Sequence, residues 1–313
     1  MHIIILIIII FILLFYTDIS ISKFNKYNEH NKYHNAILCI PQGWTDIFNC
    51  LGLINFYSKK YIKLYLVIRD DSKELINFYI KNLNNIELIF INNKKFIKGR
   101  YGNDWLIYKF IKKYYSINNC EQIFIGFVDY DNTRYDFNIN LLKSIFTNFE
   151  INLPKCYYET YNIPYSVRIN NFIFYRDYKL ENLKYNNFIK ENGYKYILYH
   201  SNNNNIDFII NKKNIKYINL NKKSNIFFDY IKILENSIEF HLIDSSWALF
   251  IYLLDAKYGL FKKKKIYLYA RRNYSCFFKE PLLDNWIFIK EKFLNLIINL
   301  YQESFIGDYF KYK

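Results

Sequence analysis

A short apolar run, a polar break, then apolar residues at helical spacing: this unit recurs along the chain and constrains its fold more than any other feature. Residues 36–40 (AILCI) are too short and too apolar for anything but a buried strand. They stop at Pro41-Gln42-Gly43-Trp44-Thr45-Asp46, after which Ile47, Cys50, Leu51 and Ile54 mark one face of a helix, with Thr45 or Asp46 as its cap. The unit repeats with a strand at 64–68, the turn Arg69-Asp70-Asp71-Ser72 and a helix at 73–81. A third strand at 86–91, a helix at 103–115 and a fourth strand at 123–128 follow. Strands alternating with helices at this spacing predict a parallel, Rossmann-like sheet.

The second half repeats the arrangement. A helix is expected at 141–149, and Pro154 and Pro164 flank a domain junction. Beyond it come a strand at 172–178, a helix at 179–192 closed by Gly193, and a strand at 194–199 that runs into His200-Ser201-Asn202. A strand at 215–220 precedes a helix whose apolar face is Phe227, Tyr230, Ile231 and Leu234. Ile238, Phe240 and Leu242 then alternate with Glu239 and His241, as in a strand. Asp244-Ser245-Ser246 breaks it, and Trp247, Phe250, Ile251 and Leu254 resume helical spacing. A last strand at 266–269 ends at Arg271-Arg272, and 283–301 reads as a long amphipathic helix. The fold class is α/β, with two Rossmann-like domains preceded by one N-terminal hydrophobic helix. The expected divisions are a signal-anchor at 1–24, a tether at 25–35, domains at 36–155 and 164–301, and a tail at 302–313.

Residues 3–16 are unbroken apolar sequence, read first as an uncleaved single-pass signal-anchor that places the protein at a membrane, with a cleaved signal and a buried strand as alternatives. Lys23, Lys26 and Lys32 follow it, which favours a cytosolic C-terminal part, whereas a type II anchor needs the reverse. The sequence leaves the side open. The net charge of +15 invites a nucleic-acid reading, yet the lysines are spread along the chain and no zinc-finger or RNP-like pattern surrounds the one tight run, Lys262 to Lys265. Nucleic acid is therefore not expected as a partner. Five scattered cysteines form neither a disulfide framework nor a metal set.

Open α/β sheets place their chemistry in loops at the carboxyl edge. After the first strand, Gly43 lets the backbone approach a ligand, Trp44 lies beside it, and Asp46 sits where a carboxylate accepts a proton from a hydroxyl or simply caps the helix. GxGxxG and GxxxxGK[ST] are both absent there. Asp129 to Asp136, with Arg134 among its carboxylates, follows the fourth strand and is read as a cleft-facing loop for the acceptor, a calcium-like turn being the alternative although the spacing is not that of an EF-hand. Asp129-Tyr130-Asp131 has the spacing of a metal-binding pair, the main challenge to chemistry without a metal. His200 and Ser201 occupy the matching loop of the second half. Ser245 stands at a helix N-cap position, where it simply caps a buried helix or opens free N–H groups and a positive dipole end to a phosphate or diphosphate.

This order of elements, an acidic loop after the first strand and a serine-bearing helix start late in the chain, resembles GT-B glycosyltransferases, in particular the heptosyltransferase-like group and related viral and microbial enzymes. The resemblance implies two Rossmann-like domains facing each other across a cleft. It identifies Asp46, in IPQGWTD, with the family's base, and Asp244-Ser245-Ser246 with the helix start that holds the donor diphosphate. The chain departs from the pattern in three places. Trp44-Thr45 separate Gly43 from Asp46, Ser246 replaces a glycine, and Leu249 stands where a histidine is usual. These bear on a heptose donor more than on the fold. The expectation is an inverting, metal-independent transferase of hexosyl or heptosyl type, without a cofactor. It would move a sugar from a nucleotide sugar to a glycan or other hydroxyl acceptor. Asp46 is the catalytic base. Ser245, Ser246, His200, Ser201 and Arg271 contact the donor, and Gly43, Trp44 and Arg134 contact the acceptor. The alternative is a catalytically inactive module of the same fold that binds a glycan or nucleotide at a membrane.

Overall fold

The computed structural model describes residues 35–40, 43–91, 120–125, 153–201, 215–220, 227–270 and 283–290. Residues 35–313 form one compact unit. The signal-anchor, the tether, the helices expected at 103–115 and 141–149 and the tail all lie outside the described residues. Among the described residues, no helix is long and apolar enough to cross a membrane.

The first half opens with β1 (Asn35–Ile40), α1 (Trp44–Lys60) and β2 (Lys63–Arg69). A 3-10 turn at Asp70–Ser72 leads into α2 (Lys73–Ile80), followed by β3 (Ile86–Ile91) and β4 (Cys120–Phe124). The four strands make one parallel sheet in the order β3-β2-β1-β4. β1 is central and its residues 36–40 are wholly buried, as an apolar run covered on both faces must be. β4 lies three residues earlier than the apolar run at 123–128 suggests. Pairing with β1 fixes its register at Asn35 opposite Cys120, so the polar residues Glu121 and Gln122 are drawn into the strand.

Two short helices, α3 (Leu153–Glu159) and α4 (Val167–Asn170), connect the halves and pack on α1. Gly52 makes the second contact feasible, because a Cβ there would collide with the carbonyl oxygens of Val167 and Arg168. Residues 172–177 are not the expected strand. Phe172 and Phe174 instead stack on each other and on Tyr79 and Phe228, so aromatic packing takes the place of ladder pairing.

The second half runs α5 (Tyr178–Asn192), β5 (Tyr196–His200), β6 (Lys216–Asn219), α6 (Ile231–Asn236), β7 (Phe240–Ile243), α7 (Ser246–Tyr258), β8 (Ile266–Ala270) and β9 (Trp286–Lys290). Its parallel sheet has the order β6-β5-β7-β8-β9. Gly193 closes α5 at φ 77°, a conformation open to glycine and costly for other residues. β7 is buried along its whole length. Glu239 and His241 are as enclosed as Phe240 and Leu242, because His241 bonds Glu239 Oε1 (3.1 Å) and the Tyr269 hydroxyl (2.8 Å). β9 replaces the first part of the helix expected at 283–301. Asp284-Asn285 form a turn, the Asn285 carbonyl accepts from Ile266, and Trp286 to Lys290 pair with β8.

One hydrophobic core includes residues of both sheets: Leu38, Leu66 and Ile123 from the first, Leu198, Phe240 and Leu268 from the second. Asp255, on α7, ties its far end. It accepts from the Phe261 N–H (2.9 Å), Asn285 Nδ2 (2.9 Å) and the Trp286 indole (3.1 Å).

Candidate functional site

Each sheet has a point where the strand order reverses direction, and the loops on either side of such a point part to leave a crevice. In the first sheet that point lies between β1 and β4, and in the second between β5 and β7. Gly43 and Asp46 follow β1. His200 and Ser201 end β5, and Asp244, Ser245 and Ser246 follow β7. The pairing of His200 with Leu242 sets the last two groups side by side at one sheet edge.

The starts of α1 and α7 also come together. Phe48 of α1 and Phe250 of α7 touch with ring centroids 5.3 Å apart. Between the two first turns lies Phe227, whose ring meets Trp44 at 5.3 Å and Trp247 at 4.1 Å. Phe227 is held at φ 61°, a strained conformation for a residue with a side chain. The helix that begins with the candidate base and the helix that begins with the candidate diphosphate seat are therefore clamped by one aromatic cluster.

At α1 the cap is Gly43, neither Thr45 nor Asp46, and no side chain bonds the first turn as a cap. Gly43 has an ordinary φ of −74°, and a Cβ there would meet nothing within 4 Å, so its lack of a side chain answers to no neighbour among the described residues. Asp46 is the third residue of the helix. Tyr157 of α3 donates its hydroxyl to Asp46 Oδ1 at 2.7 Å. Burial raises the Asp46 carboxyl from 3.8 to about 6. The Tyr157 hydrogen bond, its own backbone N–H, the charge of Arg69 and the Gly43 N–H all pull the other way without cancelling that rise. Arg69 ends β2, beside β1, and pairs with Asp71. A carboxylate near neutrality is suited to take up a proton at physiological pH.

At α7, Ser245 is the N-cap and its hydroxyl accepts from the Ala248 N–H at 3.3 Å. Its backbone is fully extended (φ −163°, ψ 171°), so the chain turns abruptly from strand into helix. Ser245 and Ser246 are half-buried, whereas Ser201 is fully buried and His200 nearly so. Arg134, Arg271 and the Asp129–Asp131 pair lie outside the described residues. Among the described residues, no cluster of three His, Cys, Asp or Glu side chains could hold a metal ion.

No family model matches the chain, and no curated protein matches it in sequence. In three dimensions it is similar to a glycosyl transferase of family 9 from Veillonella parvula, at 9% identity and a TM-score of 0.49, over 88% of this chain and 93% of that one. It is also similar to the Escherichia coli heptosyltransferase WaaC. With ADP-2-deoxy-2-fluoro heptose, that structure matches at 9% identity and a TM-score of 0.38, over 86% of this chain and 99% of that one. With ADP, it matches at 10% identity and a TM-score of 0.40, over 87% and 99%.

Tyr157 and Arg69 were invisible to sequence reasoning. Tyr157 reaches Asp46 across more than a hundred residues of chain, and no local pattern reports such a contact. Arg69 reads in the sequence only as the first residue of the turn after the strand at 64–68, whereas it ends β2.

Proposed function

We propose that this chain is a glycosyltransferase that moves a sugar from a nucleotide-sugar donor to a hydroxyl acceptor with inversion. One observation carries the reading. A carboxyl raised to about 6 stands at one switch point, and a serine-capped helix start stands at the other, with the two helices in contact.

The two ends have complementary tasks. Asp46 takes the proton from the acceptor hydroxyl as the oxygen attacks the anomeric carbon. The new carbon–oxygen bond forms on the face opposite the diphosphate, and the bond to the diphosphate breaks with its electrons. The departing group gains negative charge, which the free N–H groups at the start of α7 and the positive end of its dipole stabilise. The Ser245 and Ser246 hydroxyls add hydrogen bonds there, and His200 and Ser201 border the same edge. Gly43 and Trp44 would line the acceptor side. Arg134 on that side and Arg271 on the donor side belong to the same proposal, as do independence from metal and an N-terminal membrane anchor at 1–24.

Calorimetry with a panel of nucleotide sugars, followed by assays of donor hydrolysis and transfer, tests the reading. Binding of at least one donor together with its turnover supports it. Binding without turnover makes the chain a recognition module, and no binding to any donor removes the proposal.

A further inference from the structure

The segment that joins the two sheets carries three tyrosines with definite tasks. Tyr158 is fully buried and donates to the Asn49 carbonyl of α1 at 2.7 Å, while Asn49 Nδ2 donates to the Thr45 carbonyl one turn earlier. Tyr161 uses its hydroxyl twice at the end of β4, accepting from the Phe124 N–H at 2.7 Å and donating to its carbonyl at 2.9 Å. Tyr157, on α3, precedes Tyr161 in the turn that follows the helix, is 4% exposed, and reaches Asp46. Tyr157 and Tyr161 thus straddle the β1/β4 switch point, one phenol on each side. Tyr158 pins the backbone between them to α1.

This arrangement fixes the direction of the Tyr157 hydroxyl before any ligand arrives. A phenol that donates to Oδ1, together with the Asp46 and Gly43 N–H groups that bond the same carboxyl, holds the plane of the carboxylate. The bond also favours the ionised form, which burial opposes.

We infer that Tyr157 is the positioning residue of the Asp46 base, orienting the carboxylate and keeping it ionised through the phenol bond to Oδ1. The inference rests on the glycosyltransferase reading for the reaction that Asp46 serves. The bond itself can be tested without that reaction.

The experiment follows the Asp46 carboxyl carbon by NMR as a function of pH in the full chain, with the resonance assigned by its loss in Asp46→Asn. In Tyr157→Phe, the midpoint should move upward from about 6 by roughly one pH unit or more, the size expected for losing a hydrogen bond to a charged group. Tyr158→Phe, which removes a neighbouring buried phenol bond, should lower the melting temperature and leave the midpoint in place. The acidic limb of kcat/KM should follow the Tyr157→Phe midpoint, with activity returning to within a few-fold of wild type on the alkaline side. An unmoved or lowered midpoint in Tyr157→Phe overturns the inference, as does an equal shift in Tyr158→Phe. Should Tyr157→Phe not fold, the Tyr157 ring carbon bearing the hydroxyl gives the answer in the wild type. It must titrate with the Asp46 midpoint, and a flat response overturns the inference. If no donor is ever turned over, the glycosyltransferase reading falls while the titration still decides the role of Tyr157.

Discussion

Replacing Asp46 by Asn should make the protein more stable at pH 8, and the size of the gain follows from the site. The unfolded carboxyl titrates near 3.8, the folded one near 6. Between these values the folded state binds the proton that the unfolded state has released. The group's contribution to stability is therefore fully present below pH 3.8 and lost as pH rises through about 6. A separation of about 2 units corresponds to roughly 3 kcal/mol, and solvent at the half-buried carboxyl reduces this to about 2 kcal/mol. Asparagine keeps an oxygen for Tyr157 and carries no charge to desolvate. Urea unfolding of both proteins across pH 4 to 8 is the assay. The advantage of the variant should be small near pH 4, grow to pH 6 or so and level off above pH 7. If Asp46 serves chiefly as a helix-start carboxylate reaching back to the Gly43 N–H, its loss costs about 1 kcal/mol at pH 8 instead. A variant less stable than wild type at pH 8 would refute the reasoning.

Two further changes probe the frame that holds the site. Asp255→Ala strands the Phe261 N–H, Asn285 Nδ2 and the Trp286 indole in a buried place, and should cost about 3–5 kcal/mol in urea unfolding. Gly52→Ala forces a methyl group against the backbone of α4 and should lower stability by about 1–3 kcal/mol, read as a drop in melting temperature. Because α4 shares its contact on α1 with α3, this change should also blunt the Tyr157–Asp46 bond, visible in the same Asp46 titration.

The parts of the fold that could be read from the chain are those where local and global demands agree. The run at 36–40 is apolar throughout because β1 is covered on both faces, and Ser245 reads as a cap because the strand before it and the helix after it are both well marked. Errors arose where tertiary contact overrides local pattern. Trp286 to Ile289 is a contiguous apolar run, which helix and strand share, and only pairing with β8 decides it. Phe172 and Phe174 look like strand residues, yet among the described residues no strand pairs with them and they stack on aromatic rings from α2 and the 228 region. Glu239 and His241 alternate with apolar residues, and their burial is set by a contact with Tyr269 that lies far along the chain. At the candidate site, the position of Asp46, His200 and Ser245 at the carboxyl ends of β1, β5 and β7 can be read from the sequence, because the strands before them are well marked. That of Tyr157 cannot, because its distance in sequence from Asp46 is set by a connection whose length no pattern predicts.

The most direct test of the whole account is a single comparison on a donor that the wild-type chain turns over: transfer rate and donor affinity in Asp46→Asn beside wild type. The base assignment predicts donor affinity within a few-fold of wild type and a transfer rate lower by about 100-fold or more. Transfer at the wild-type rate in the asparagine variant would contradict it.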